Sequence, residues 1–277
     1  MSFPFQELLS SLNTEKLSSL ARDSRITALT MAERSKSSHI GSSLSCIDIL
    51  CLLYSIKKRL KESGSEANFE IVCSKGHAAM AVYSVLSQLN ELSETEVLSF
   101  CKNGSQLYGH VNHLSHPWVP LSTGSLGHGL PFSLGMALAM MNQNLEGHVF
   151  VLLSDGELDE GTTWESALIA RAKKVENLTI IIDYNKIQSF GRVEEVIPLE
   201  PLREKWEAFG WGVRELDGNS IQQLQSELAI TKGLEVLILH TTKGKGVSFM
   251  EDSLDWHYKS PDANELALAI RELDSNL

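Results

Sequence analysis

The sequence predicts an α/β protein whose central sheet is mostly parallel and flanked by helices on both faces. Three observations carry that reading. Short apolar runs such as HVFVLLSD (148–155) and NLTIIIDYN (177–185) are continuous rather than alternating, as in strands covered on both sides. Segments with helical spacing separate these runs. No repeat, low-complexity stretch or linker interrupts the 277 residues, so one domain over 1–277 is expected, with a helical N-terminal segment at about 1–65.

The elements follow in order. The N-terminal segment reads as helical, with a break around 37–41. In 44–60, Leu44, Ile47, Leu50, Cys51 and Tyr54 recur at helical spacing, and Lys57, Lys58 and Arg59 suit the negative end of the helix dipole. FEIVCS (69–74) reads as a strand that ends in Lys75-Gly76-His77 and leads into a helical stretch through Leu89. Residues 102–129 are rich in Gly, His, Pro and Ser and have little periodicity; segments of that length without regular structure are uncommon and often functional. A small-residue helix is expected over 126–141. Beyond it, strands at 148–155, 177–185, 211–215 and 235–240 alternate with helices at 161–173, 201–209 and 220–228.

Composition narrows the function. Lys plus Arg is 24 against 35 for Asp plus Glu, a net charge of −11. An acidic chain without a basic block is a poor ligand for nucleic acid or anionic membrane, and neither partner is expected. Cys46, Cys51, Cys73 and Cys101 show no CxxC or Cys/His metal spacing and read as reduced, mostly buried thiols. The N-terminus lacks a basic region and a continuous apolar core, and no apolar run reaches the roughly 18 residues of a membrane span. A cytoplasmic protein is expected.

Chemistry is expected beyond the carboxyl ends of the strands. Ser154-Asp155-Gly156-Glu157 follows one apolar run, with Glu160 before the next helix, and Asp183-Tyr184-Asn185-Lys186 ends another. If the two strands are neighbours, Asp155 and Asn185 emerge side by side. A carboxylate and an amide oxygen suit Mg²⁺, which takes few protein ligands, and Gly156 would let a phosphate approach the backbone. The same local pattern also suits ordinary turn and cap residues. Of nine histidines, His39, His77, His110, His128 and His257 sit beside glycine or in a break between helices, and one shared polar site would account for them. His113, His116, His148 and His240 read as ordinary surface or satisfied buried residues.

Four motifs in this order, SKGH (74–77), STGSLGHG (122–129), SDGE…DYNKI and TTKGKGVSFME (241–251), are a specific combination. Together they resemble the N-terminal, diphosphate-binding half of transketolase, and in particular the separate N-terminal subunit of two-chain transketolases. The family's thiamine diphosphate signature places about thirty residues between the GDG and the Asn; here thirty separate Asp155 from Asn185. The resemblance spans about 39–257 and implies the thiamine diphosphate-binding fold. It implies transfer of a two-carbon ketol unit from a ketose donor to an aldose acceptor. The implied cofactors are thiamine diphosphate and Mg²⁺, with Ca²⁺ or Mn²⁺ as substitutes.

By the same resemblance, Asp155, the Asn185 side chain and the Ile187 carbonyl hold the metal, and Gly156 donates its N–H to the diphosphate. Gly124 and Leu126 contact the aminopyrimidine, while His77 and His257 line the diphosphate and the reacting thiazolium carbon. His39 and His110 hydrogen-bond the donor ketose. Glu160 matches a buried glutamate that links paired active sites. Three departures bear on these roles: Ser154 replaces the first Gly of GDG, Gly109-His110-Val111-Asn112 replaces a GHPE-like segment, and Tyr258 stands where Gly is common. IQSFGR after Asn185 also differs from the family pattern. The GHVN change lies where sugars are held, so it bears on the substrate rather than on the reaction type.

The family's second domain, which clasps the aminopyrimidine and supplies its activating glutamate, has no counterpart in 277 residues. A separate C-terminal subunit in an α2β2 assembly is therefore implied, acting on phosphorylated ketose and aldose sugars. The weighed alternatives are a transketolase variant for an unusual or nucleotide-linked sugar, a non-catalytic scaffold, and a subunit of the deoxyxylulose-phosphate synthase-like or 2-oxo acid dehydrogenase-like kind.

Overall fold

The computed structural model describes residues 5–65, 67–228 and 233–275. The first four residues of the expected N-terminal helical segment and the last two of the expected domain lie outside the described residues.

The apolar runs become strands β1 (Asn68–Cys73), β2 (Gly147–Ser154), β3 (Leu178–Tyr184), β4 (Gly212–Asp217) and β5 (Glu235–His240). They pair in the order β1-β2-β3-β5-β4, and every pair is parallel. The described sheet is thus wholly parallel where a mostly parallel one was expected. All of β3 is buried, as is β2 after its first residue, which is why these strands read as unbroken apolar runs. β4 lies at the edge and is largely exposed, so its run is weaker.

Helices α1 (Phe5–Ser10), α2 (Thr14–Ser35), α3 (Ile40–Leu44) and α4 (Ile47–Glu62) precede β1. After it come α5 (Ala79–Gln88), the one-turn α6 (Glu94–Val97) and α7 (Gly129–Asn142). α8 (Gly161–Ala172) joins β2 to β3, and α9 (Val193–Val196) and α10 (Leu202–Ala208) lie between β3 and β4. α11 (Ile221–Glu227) leads to β5, and α12 (Ala263–Ser275) follows.

The alternating pleat builds two cores. Val149, Val151, Leu153, Ile180 and Ile182 pack with Leu130, Ala167 and Trp206 of α7, α8 and α10. Phe150, Leu152 and Ile181 face the other way, toward Leu29, Leu50 and Val82 of α2, α4 and α5. Helices therefore cover both faces. Each such buried aliphatic side chain favours folding by about 1.5–3 kcal/mol before ordering costs.

Several boundaries move for local reasons. The N-terminal break falls at 36–39, where Lys36 and His39 take positive φ, and the helix expected over 44–60 is interrupted at Ser45 and Cys46. The helix expected from residue 126 begins at Gly129. Gly127 has φ +77°, and a Cβ there would stand 2.5 Å from Thr162 Oγ1, so a tight turn precedes the helix. α12 is an element beyond those expected, with Leu266, Ala269, Ile270 and Leu273 at helical spacing.

The unpatterned segment contains no helix or strand between α6 and α7. It is stitched over the end of β1: Val111 N–H donates to Gly76 O (2.9 Å), Thr123 N–H to Val111 O (3.0 Å), and Thr123 Oγ1 to Cys73 O (2.8 Å). Gly76 makes this close approach feasible, since a Cβ there would lie 2.3 Å from Thr123 O.

Candidate active site

β2 and β3 pair with Ser154 opposite Asp183, so Asp155 and Asn185 leave neighbouring strand ends. A cleft of about 500 Å³ opens there, lined by Asp155, Gly156, Asn185 and Ile187 from the strand ends and Gly124 and Leu126 from the stitched loop. His39, His77, His110 and His257 line it too. A larger cleft of about 720 Å³, beside α2 and α6, contains none of the expected site residues.

Asp155 is buried. Its Oδ1 accepts the Gly156 N–H (2.8 Å), while its Oδ2 has no hydrogen-bond partner. Burial, then the nearby Asp183 carboxylate, pushes its pKa up to about 6. A buried carboxylate with one orphaned oxygen is what a cation at this point would satisfy. The donor set is also apt: Asn185 Oδ1 and the Ile187 carbonyl are hard oxygen ligands. Asn185 Nδ2 donates to Asp183 Oδ2 (3.3 Å), and its Oδ1 accepts the Ile187 N–H (3.1 Å). These residues fit Mg²⁺.

Three charged residues that sequence reasoning left unassigned hold this end together. Asp183 is fully buried and accepts from Ser45 Oγ (2.6 Å), Thr241 Oγ1 and Lys75 Nζ. Lys75, also fully buried, donates to Ser42 O (3.0 Å); burial works to lower its pKa, but Asp183 reverses that and the net direction is upward. Lys243 Nζ donates to Ile187 O (3.0 Å) and His257 Nδ1 (2.9 Å), and burial lowers its pKa to about 8. Glu157 was likewise missed. Buried completely, it accepts from Ser74 Oγ, Gly127 N–H (3.1 Å) and Ser154 N–H (3.0 Å), tying three loops together. The available signal was charge inside quoted motifs: Lys75 in SKGH and Lys243 in TTKGKG stand next to glycine at the ends of apolar runs.

The histidines form one cluster. The His39 ring lies 4.8 Å from His257, 5.4 Å from His77 and 5.9 Å from His110, centroid to centroid. Burial, then His110, lowers His39 to about 4, and burial, then Lys243, lowers His257 to about 3. Burial also holds His77 well below the usual imidazole range. Near pH 7 these three rings are neutral, so each can donate and accept. His39 Nδ1 is buried without a partner.

One expectation needs correction. His128 does not join the shared site: it is exposed, and its Nδ1 is within 3.0 Å of Leu126 O at the start of α7. Glu160 lines the cleft and is exposed at the start of α8 in the single chain. The four remaining histidines have ordinary partners: His113 meets Ser122 (2.7 Å), His116 accepts from Trp118 N–H (3.1 Å), His148 meets Thr179 (2.8 Å) and His240 meets Glu215 (2.8 Å).

The parallel sheet thus brings a carboxylate and an amide oxygen to adjacent strand ends, with neutral imidazoles across the cleft. Residues 17–275 match the family model described as transketolase, thiamine diphosphate binding domain, and the chain belongs to the transketolase family. It is 35% identical to one of the subunits of an apulose-4-phosphate transketolase from Phocaeicola vulgatus, with 96% of each chain covered. It is 34% identical to a 6-deoxy-6-sulfo-D-fructose transketolase subunit of a Clostridium species, covering 90% of this chain and 94% of that one. Human transketolase is 30% identical, but the match covers 43% of it. Transketolase from Campylobacter jejuni superposes with a TM-score of 0.84 at 23% identity, over 95% of this chain and 43% of that one, which shows the shared fold. The chain thus spans about two fifths of the solved transketolases it resembles.

Proposed function

We propose that this chain is the thiamine diphosphate-binding subunit of a two-part transketolase, a single domain that works with a separate C-terminal subunit in an α2β2 assembly. The observation that carries this is the unpartnered Asp155 Oδ2 facing a cleft shared with four clustered histidines. Asp155, the Asn185 amide oxygen and the Ile187 carbonyl would hold Mg²⁺. The Gly156 N–H and His77 would meet the diphosphate, and Gly124 and Leu126 the aminopyrimidine. When bound, thiamine diphosphate supplies a nucleophilic carbon and an electron sink for carbon–carbon cleavage.

The chain's own residues bind, orient and move protons. Neutral His39 and His257 can take a proton from a sugar hydroxyl or return it. Lys243 keeps His257 in the tautomer whose Nδ1 accepts, leaving Nε2 as a donor. His110, exposed at the cleft wall, would hydrogen-bond the donor ketose.

Two features support the assembly. Glu160 is exposed beside an apolar face on α7 and α8 that includes exposed Phe132, Leu168 and Ile169, a surface suited to a second copy of this chain. No arginine or lysine is among the described residues lining the cleft, so the anionic tail of a phosphorylated sugar would be gripped by the other subunit. Among the described residues no helix is long and apolar enough to cross a membrane, and we place the assembly in the cytoplasm.

The test uses the chain with and without its co-expressed partner. Magnesium-dependent binding of thiamine diphosphate, followed by calorimetry on the assembly, should be lost in Asp155→Ala. Ketol transfer from a ketose donor should appear only with the partner. Unchanged cofactor affinity in the variant, or robust turnover by the single chain, would overturn the proposal.

A further inference from the structure

We infer that Tyr258 is a specificity-determining residue of the ketol-transfer site, its ring packing against the sugar carbons beyond the two that are transferred. This inference rests on the transketolase reading above.

The backbone here is held from several sides. The turn Asp255–His257 buries Trp256, whose Nε1 donates to Phe249 O (2.9 Å), and His257 is fixed by Lys243. His257 O also accepts the His39 N–H (2.7 Å). The next side chain, Tyr258, therefore has a defined place. It lines the cleft, with its ring centroid 4.8 Å from His257 and 6.3 Å from His39.

Nothing else in the described fold uses this ring. Tyr258 is 60% exposed, and its hydroxyl makes no hydrogen bond among the described residues. Its ring neighbours are the two site imidazoles. A side chain so placed contributes little to the core and much to the shape of the cleft mouth.

Depth indicates which part of a substrate it meets. His257 is 8% exposed, at the inner wall beside Lys243, whereas Tyr258 stands outward of it. A ketose whose reacting carbons lie against His257 and His39 passes Tyr258 with its distal carbons. The C–H face of a sugar chain packs well on an aromatic ring, while a three-carbon donor ends before reaching it. Glycine at this position would leave the mouth open; here a ring narrows it and offers a platform.

The experiment compares donors of different length in the reconstituted pair. The kcat/KM ratio of D-fructose 6-phosphate to β-hydroxypyruvate is measured for wild type, Tyr258→Gly and Tyr258→Phe. Tyr258→Gly should lower that ratio about two- to tenfold, chiefly through KM for the longer donor. Tyr258→Phe should restore the wild-type ratio. An unchanged ratio in Tyr258→Gly, or weakened association of the subunits by calorimetry, would overturn the inference; the latter would make Tyr258 a contact for the partner chain. If the wild-type pair binds thiamine diphosphate yet turns over neither donor, the transketolase reading fails and this inference with it. Turnover by wild type with no change in the ratio sinks the Tyr258 inference alone.

Discussion

His148 and His257 both lose basicity through burial, yet one supports the sheet and the other faces the cleft. His148 Nε2 lies 2.8 Å from Thr179 Oγ1 inside the β2–β3 ladder, and burial lowers its pKa to about 3 from 6.5. The native state keeps it neutral, while the unfolded chain takes up a proton below about 6.5. Its contribution to stability is therefore full above that pH and is lost as pH falls toward 3, on the order of several kcal/mol for the whole shift. His148→Gln retains a donor for Thr179 but cannot titrate. Urea unfolding across pH 4 to 7 should show a shallower acid loss in this variant than in wild type. Parallel curves would mean His148 titrates normally. The site histidines titrate alike in both proteins, so the difference belongs to residue 148. Sequence context separated the two kinds of histidine only through the apolar run that His148 opens, since His148 also follows a glycine, Gly147. His128 shows the limit: a glycine neighbour does not determine which way the ring faces.

The Lys75–Asp183 pair links the end of β1 to the end of β3 across β2, and Lys75 reaches α3 through Ser42 O. Both side chains are wholly buried. Removing one partner leaves an uncompensated charge in the interior, which costs about 3–5 kcal/mol. Lys75→Met should lower the unfolding free energy measured in urea by that amount, and Lys75→Met/Asp183→Asn should recover a substantial part. Additive losses in the double variant would show that the pair is not coupled. The strands and most helices were legible as elements because their burial imposes a period on the sequence. The pair was not, since nothing in a linear pattern says that a lysine after one strand meets an aspartate ending another. The same holds at the interruption by Ser45, whose hydroxyl meets Asp183 as well as Ser42 O.

At the scale of the whole molecule, the described residues leave apolar side chains of α7 and α8 exposed. Phe132 of α7 and Leu168 and Ile169 of α8 are exposed, as is Glu160 at the start of α8. Exposed apolar residues of this kind mark a candidate interaction surface. Leu168→Glu should weaken self-association in sedimentation experiments without changing the unfolding free energy in urea by more than about 0.5 kcal/mol, as expected at an exposed position. Undisturbed self-association would direct the second copy to another face.

Burial and chain direction leave marks that a sequence can carry. Unbroken apolar runs specified strands covered on both sides, while the adjacency of the Asp155 and Asn185 strand ends was conditional on a pairing of β2 with β3 that the sheet supplies. The parallel α/β architecture was determined at that level. Contacts between distant segments leave no such mark. The tertiary structure alone decided that Lys75 pairs with Asp183, that Lys243 holds both His257 and Ile187, and that four histidines meet while His128 turns away. Each of those outcomes depends on where loops land in space, and only the packed sheet beneath them sets that.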